Sequence, residues 1–81
     1  MLYYVYLIRS LKHPTITYVG CSYNLEERLA THNSGGSIYT VSARPWELVI
    51  CITFKDKFKA FEFEKYLKSH AGRTFAKKRL W

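Results

Sequence analysis

Residues Leu2–Ile8 (Leu-Tyr-Tyr-Val-Tyr-Leu-Ile) carry no charge, and both of their alternating faces are apolar or aromatic: Tyr4, Tyr6 and Ile8 on one, Tyr3, Val5 and Leu7 on the other. Side chains of a strand point alternately to its two faces, so a strand apolar on both needs cover on both. The run therefore predicts a central strand, and the rest of the chain has to supply its neighbours and its cover. Only 81 residues are available. A chain of that size buries about 60–65% of its unfolded surface, so the cover has to come from a few compact elements.

The partners are readable from the same periodicity. Arg9–Pro14 is polar and ends in proline, a connecting loop, and Thr15–Val19 returns as a second strand, giving an antiparallel hairpin. Trp46–Phe54 alternates Val49, Cys51 and Thr53 against Leu48, Ile50 and Ile52 and predicts a third strand, again well covered. Between them, Asn24 reads as a helix N-cap with Glu27 three residues on, Leu25 and Leu29 as the docking stripe, and Gly35-Gly36 as the stop. Ser37–Pro45 is irregular or a short helical turn. A longer helix starts near Asp56, runs to about His70 and stops at Gly72; Arg73–Trp81 follows as a short basic helix pinned by Phe75 and Leu80. The expectation is an α+β fold, a three-stranded antiparallel β-sheet flanked by helices in the order β-β-α-β-α-α, with residues 1–81 as one domain. No internal repeat or linker interrupts it.

Charge is distributed unevenly. Four of the 13 basic and three of the six acidic residues precede Phe54, so nearly all of the net charge of +7 lies in the last third. A basic face of this kind suits a polyanion, most simply nucleic acid. No run approaches the roughly 20 apolar residues of a membrane span, and no charged segment followed by an apolar run marks a leader, so a soluble, cytoplasmic protein is expected. Cys21 and Cys51 show neither Cys-x-x-Cys spacing nor a histidine cluster, which predicts free thiols.

Within this frame, Tyr18–Gly36 gathers a tyrosine, an arginine and a histidine, with Arg28 and His32 one helical turn apart, in the manner of a phosphate site. On the longer helix, Ala60, Phe61, Leu67 and Ala71 form one face and Glu64 falls among them, whereas Glu62 points away with Lys65 and Ser69. A carboxylate on an apolar stripe is costly to desolvate unless it is paired or used. Lys68, four residues on, offers a simple helix ion pair.

Taken together, Tyr4-Val5-Tyr6, Tyr18-Val19-Gly20, the run Asn24, Leu25, Arg28, Leu29, His32, Asn33, the stretch Arg44–Val49 and Glu64–Ser69 resemble the GIY-YIG nuclease family. The likeness is to its small single-domain members related to the N-terminal incision domain of the bacterial excision-repair nuclease, and it covers essentially the whole chain. Tyr4 departs from the first glycine of the signature and adds bulk near the site. The resemblance implies that Glu64 holds one divalent ion, Mg²⁺ or Mn²⁺, against a DNA phosphate. Arg28 would neutralise developing charge, Tyr6 and Tyr18 would position or deprotonate the attacking water, and His32 would be the proton partner. Ser22 and Asn33 would orient the tyrosines or contact phosphate, with Gly20 beside them, and Arg73, Lys77, Lys78 and Arg79 would track the DNA backbone. The implied activity is endonucleolytic hydrolysis of DNA in repair or recombination, by a monomer as the default. A non-catalytic nucleic-acid-binding module or an adaptor with the same fold is the alternative.

Overall fold

The computed structural model describes residues 1–81. Its elements are strands β1 (Tyr3–Ser10) and β2 (Thr17–Ser22), helix α1 (Leu25–Ser34), a single 3-10 turn at Val41–Ala43, strand β3 (Trp46–Phe54), and helices α2 (Lys57–Lys68) and α3 (His70–Arg79). The three strands form one antiparallel sheet in the order β2-β1-β3, so the first strand is central as its two apolar faces require. Val5, Tyr6, Leu7 and Ile8 are all at most 1% exposed.

The two faces of β1 build two cores. Val5 and Leu7 pack with Ala60 and Leu67 of α2 and Ala76 of α3. Tyr6 and Ile8 pack with Ala43 and Trp46, against which Tyr18, Leu25 and Leu29 rest. The sheet is thus covered by α2 and α3 on one side and by α1 with the 3-10 turn on the other. That second cover is short, and β3, at the sheet edge, is mostly partly buried, with Glu47, Leu48 and Thr53 exposed. The expectation that β3 is well covered is corrected accordingly: a chain this small lacks the residues to cover both faces of three strands.

Strand ends shift by about two residues from the sequence reading, because pairing decides them. β1 continues to Ser10, since Arg9 lies opposite Thr17 and Ser10 opposite Trp46. β2 begins only where that pairing begins.

Helix α1 is closed as its sequence dictates. The Asn24 side chain accepts the Glu27 N–H at 3.1 Å, and its amide donates to the Glu27 carboxylate at 3.2 Å. Gly35 takes the left-handed conformation, φ 89°, that closes many helices.

The boundary between α2 and α3 differs from expectation. The break falls at Ser69, whose N–H donates to the Tyr66 carbonyl while its hydroxyl oxygen accepts the Gly72 N–H at 3.1 Å and caps the next helix. Gly72 is therefore not a stop but a buried residue in the first turn of α3. A Cβ there would lie 1.7 Å from the Tyr66 carbonyl oxygen. The packing face of α2 is likewise Ala60, Phe63 and Leu67, while Phe61 is exposed and Ala71 sits on α3. The α3 helix is held by Gly72, Ala76, Leu80 and Trp81, whereas Phe75 lies 6.1 Å from the Tyr66 ring at the surface. Cys21 and Cys51 are free. They lie on the strands either side of β1, about 10 Å apart by strand spacing, beyond disulfide reach. No helix is long and apolar enough to cross a membrane.

Candidate active site

Tyr6 leaves the central strand toward α1, and its position is set by what stands opposite. In the β1–β2 ladder its partner is Gly20, where a Cβ would sit 2.2 Å from the Tyr6 hydroxyl. The glycine is thus required for space rather than for backbone conformation. Through the gap the hydroxyl reaches His32 Nε2 of α1 at 2.9 Å. The other ring nitrogen, Nδ1, lies 2.7 Å from the Thr40 hydroxyl, and the Thr40 carbonyl accepts the Trp46 indole N–H at 3.0 Å. Tyr6, His32 and Thr40 are each at most 1% exposed, so the line of hydrogen bonds runs through dry interior.

Tyr18 joins from β2, its ring 5.2 Å from that of His32. Arg28, one turn before His32 on α1, leans on the Tyr6 hydroxyl. That contact is the main reason its guanidinium holds its proton more tightly than usual. His32 is the only strict hydrogen-bond partner of the hydroxyl; Arg28 approaches the same oxygen more loosely.

The far side of the cluster comes from α2. Glu64 is neither core nor free: its carboxylate pairs with Lys68 Nζ at 3.0 Å, with 24% of its side chain exposed. The ammonium of Lys68 also lies 5.4 Å from the centre of the Tyr18 ring. The helix pair anticipated from spacing does form, and it forms beside the tyrosine. Burial is the main cause that raises the Cys21 thiol, with the Glu64 charge next, and for Tyr6 the Glu64 charge is the smallest of the causes. The meeting is possible because β2 is an edge strand, so side chains from the α1 face and from α2 reach around it to the same place.

Burial is the largest influence on both central groups. It raises the Tyr6 phenol above its ordinary 10.0, against the pull of Arg28. It lowers His32 below 6.5, helped by the Arg28 charge. Both are neutral near pH 7.

Five of the site residues expected from sequence, Tyr6, Tyr18, Arg28, His32 and Glu64, thus come together, with Gly20 making the room. Two others have different work. The Asn33 side chain clamps the start of β3, accepting the Trp46 N–H at 2.5 Å and donating to its carbonyl at 3.2 Å. Ser22 bonds both backbone groups of Asn24 and shapes the turn into α1. Tyr4 is also outside the cluster, in a hollow of about 470 Å³ with Tyr23, Leu25 and Leu29. Of the basic tail, Arg73 and Lys77 line a larger groove of about 770 Å³ that includes Tyr18 and Lys68, whereas Lys78 and Arg79 are exposed and outside it.

Thr40 and Lys68 escaped assignment to the site. Thr40 lies in an irregular stretch whose path no local pattern specifies. Lys68 had a signal, its spacing from Glu64, but that spacing says nothing of Tyr18. No group of three or more His, Cys, Asp or Glu side chains assembles into a metal cage. The donor set instead suits a hard ion held through one carboxylate, with water and substrate oxygens completing its shell.

Comparison with known proteins places the chain in a family. Residues 2–79 match the model of the GIY-YIG catalytic domain. The chain is 40% identical over 76 residues to the structure-specific endonuclease subunit SLX1 of Malassezia globosa, covering 88% of this chain and 17% of that protein. It is 37% identical over 73 residues to the SLX1 of Debaryomyces hansenii, covering 82% and 21%. It therefore spans about a fifth of the length of these relatives. The solution NMR structure of the UPF0213 protein BH0048 from Bacillus halodurans superposes with a TM-score of 0.59 at 26% identity, covering 99% of this chain and 87% of that one. With a central Tyr-x-Tyr strand, a Tyr-Val-Gly edge strand and a family match over nearly its full length, the chain belongs to the GIY-YIG family.

Proposed function

We propose that this chain is a metal-dependent endonuclease module that hydrolyses phosphodiester bonds in DNA, with Tyr6, Tyr18, Arg28, His32 and Glu64 as its catalytic residues. The observation that carries the reading is the Tyr6 hydroxyl 2.9 Å from His32 Nε2, with Arg28 against the same oxygen and Glu64 across the edge of β2. The relatives named structure-specific endonuclease subunits support it, and they favour a role in DNA repair or recombination.

The chemistry follows from protonation states. A neutral imidazole whose ring proton is on Nδ1, facing the Thr40 oxygen, accepts at Nε2. Tyr6 is then poised to give its proton to His32 Nε2 while taking one from the water that attacks phosphorus. The phosphorus–oxygen bond to the leaving strand breaks as the new one forms, and the departing oxygen takes a proton from solvent. Arg28 offers its planar fork to the charge that develops on the phosphate. Tyr18, between His32 and Lys68, lines the approach and orients the water. Glu64 would hold Mg²⁺ or Mn²⁺, which when bound supplies Lewis-acid charge on the scissile phosphate.

The test is nicking of supercoiled plasmid in Mg²⁺ or Mn²⁺. Wild type is expected to nick only with metal, and Glu64→Gln and Arg28→Ala to lose about 100-fold or more. The Glu64–Lys68 pair contributes only about 0.3–0.5 kcal/mol as a helix pair, so Glu64→Gln should unfold at nearly the wild-type urea concentration. A wild type that shifts DNA on a gel without metal-dependent nicking would make the chain a binding module instead. Undiminished nicking by Glu64→Gln would remove the metal assignment.

A further inference from the structure

The groove beside the cluster has a composition that the reaction alone does not explain. It is lined by Tyr18 and Lys68, by Arg73 and Lys77 of α3, and by Arg9 and Trp81, whose guanidinium lies 5.5 Å from the indole ring. Four cations line it, one of them Lys68 in its pair with Glu64, and no acidic side chain is among the lining residues. Arg73 and Lys77 stand one turn apart on α3 and so present their charges to the same side, while Lys78 and Arg79 fall on other faces.

We infer that this groove holds one unpaired strand of nucleic acid leading to the scissile phosphate. Lys68, Arg73 and Lys77 contact successive backbone phosphates, and a base stacks on the Arg9 guanidinium, which the Trp81 ring backs. A groove with a row of cations and a planar stacking platform is the arrangement by which single strands are held without regard to sequence. Guanidinium planes serve as such platforms as well as aromatic rings do. Paired bases hide their faces inside the duplex, so the Arg9–Trp81 platform has a use only where a base is free. The position beside a scissile phosphate rests on the endonuclease reading above; occupancy of the groove does not.

The experiment is a binding titration in EDTA, where no strand is cut. Its probes are a short oligothymidylate, a hairpin duplex of equal length and polyglutamate. Trp46 is 5% exposed with its indole N–H bonded to Thr40, so a change in tryptophan emission reports on Trp81, and Trp81→Phe should remove it. Oligothymidylate is expected to bind about tenfold or more tighter than the duplex, and Arg9→Gln to weaken it by a similar factor. The pair Arg73→Gln with Lys77→Gln should lower the slope of log affinity against log salt by about 1.4, and the pair Lys78→Gln with Arg79→Gln should leave it unchanged. Equal or tighter binding of the duplex or of polyglutamate, or equal effects of the two double variants, would overturn the proposal. The two readings separate cleanly. Groove-dependent binding without plasmid nicking defeats only the nuclease, and nicking with groove-independent binding defeats only the groove.

Discussion

Gly20 decides the position of the most important hydroxyl in the molecule. Substitution by alanine would place a methyl where the Tyr6 hydroxyl lies, and the enclosed Tyr6 ring can yield only by leaving His32. Gly20→Ala is therefore expected to lose about 100-fold in nicking rate, since displacement of a reacting group by an ångström costs that much. Nicking within a few fold of wild type would show that the Tyr6–His32 contact is dispensable. His32 sets a pH dependence of a different kind. Its folded pKa lies below 6.5, so as pH falls the unfolded chain takes up a proton before the folded protein does. The stability it contributes is complete above about 6.5 and is lost as pH falls from there through the lower folded value. The urea midpoint should decline from pH 7 toward pH 5, less steeply in His32→Gln; equal slopes would relieve His32 of this role. Tyr6, Arg28, His32 and Glu64 were singled out in the sequence by the resemblance to the GIY-YIG family. Thr40, which fixes the second nitrogen of His32, was not, since nothing local to an irregular stretch indicates which buried ring it will meet.

At the scale of elements, caps were legible where the capping group is also the residue type that caps. Asn24 and Asp56 begin helices as their side chains dictate, Asp56 accepting from Phe58 N–H at 2.8 Å. The α2–α3 corner shows the converse. Gly72 has the residue type of a stop, yet its missing Cβ serves contact between helices, and Ser69 both ends one helix and starts the next. Gly72→Ala forces a methyl onto the backbone of Tyr66 and is expected to destabilise by about 2–3 kcal/mol in urea unfolding, the scale of an overpacked core. A loss of only a few tenths would show that α3 shifts freely on α2. The loss should also reach the groove, because Arg73 and Lys77 ride on α3.

At the scale of the molecule, the net charge of +7 lies mainly on the same side of the chain's sequence as the groove-lining cations Lys68, Arg73 and Lys77. Long-range attraction of this kind is screened over about 8 Å at 0.15 M salt. Nicking under subsaturating DNA should fall steeply between about 50 and 200 mM salt, and the rate at saturating DNA should change little. A salt effect confined to the saturated rate would place the charges in catalysis rather than capture. The sequence by itself determined that Leu2–Ile8 is central, that one strand lies on either side of it, and where α1 and α2 begin. These follow from period, capping and residue type, which act over a few residues. Only the tertiary structure decided that Glu64 and Lys68 meet Tyr18 around the edge of β2, that Thr40 closes the line behind His32, and that Arg9 and Trp81 share a groove with Arg73 and Lys77. Those meetings depend on how three strands and three helices pack, and a contact between residues far apart in the chain leaves no periodic mark on either of them.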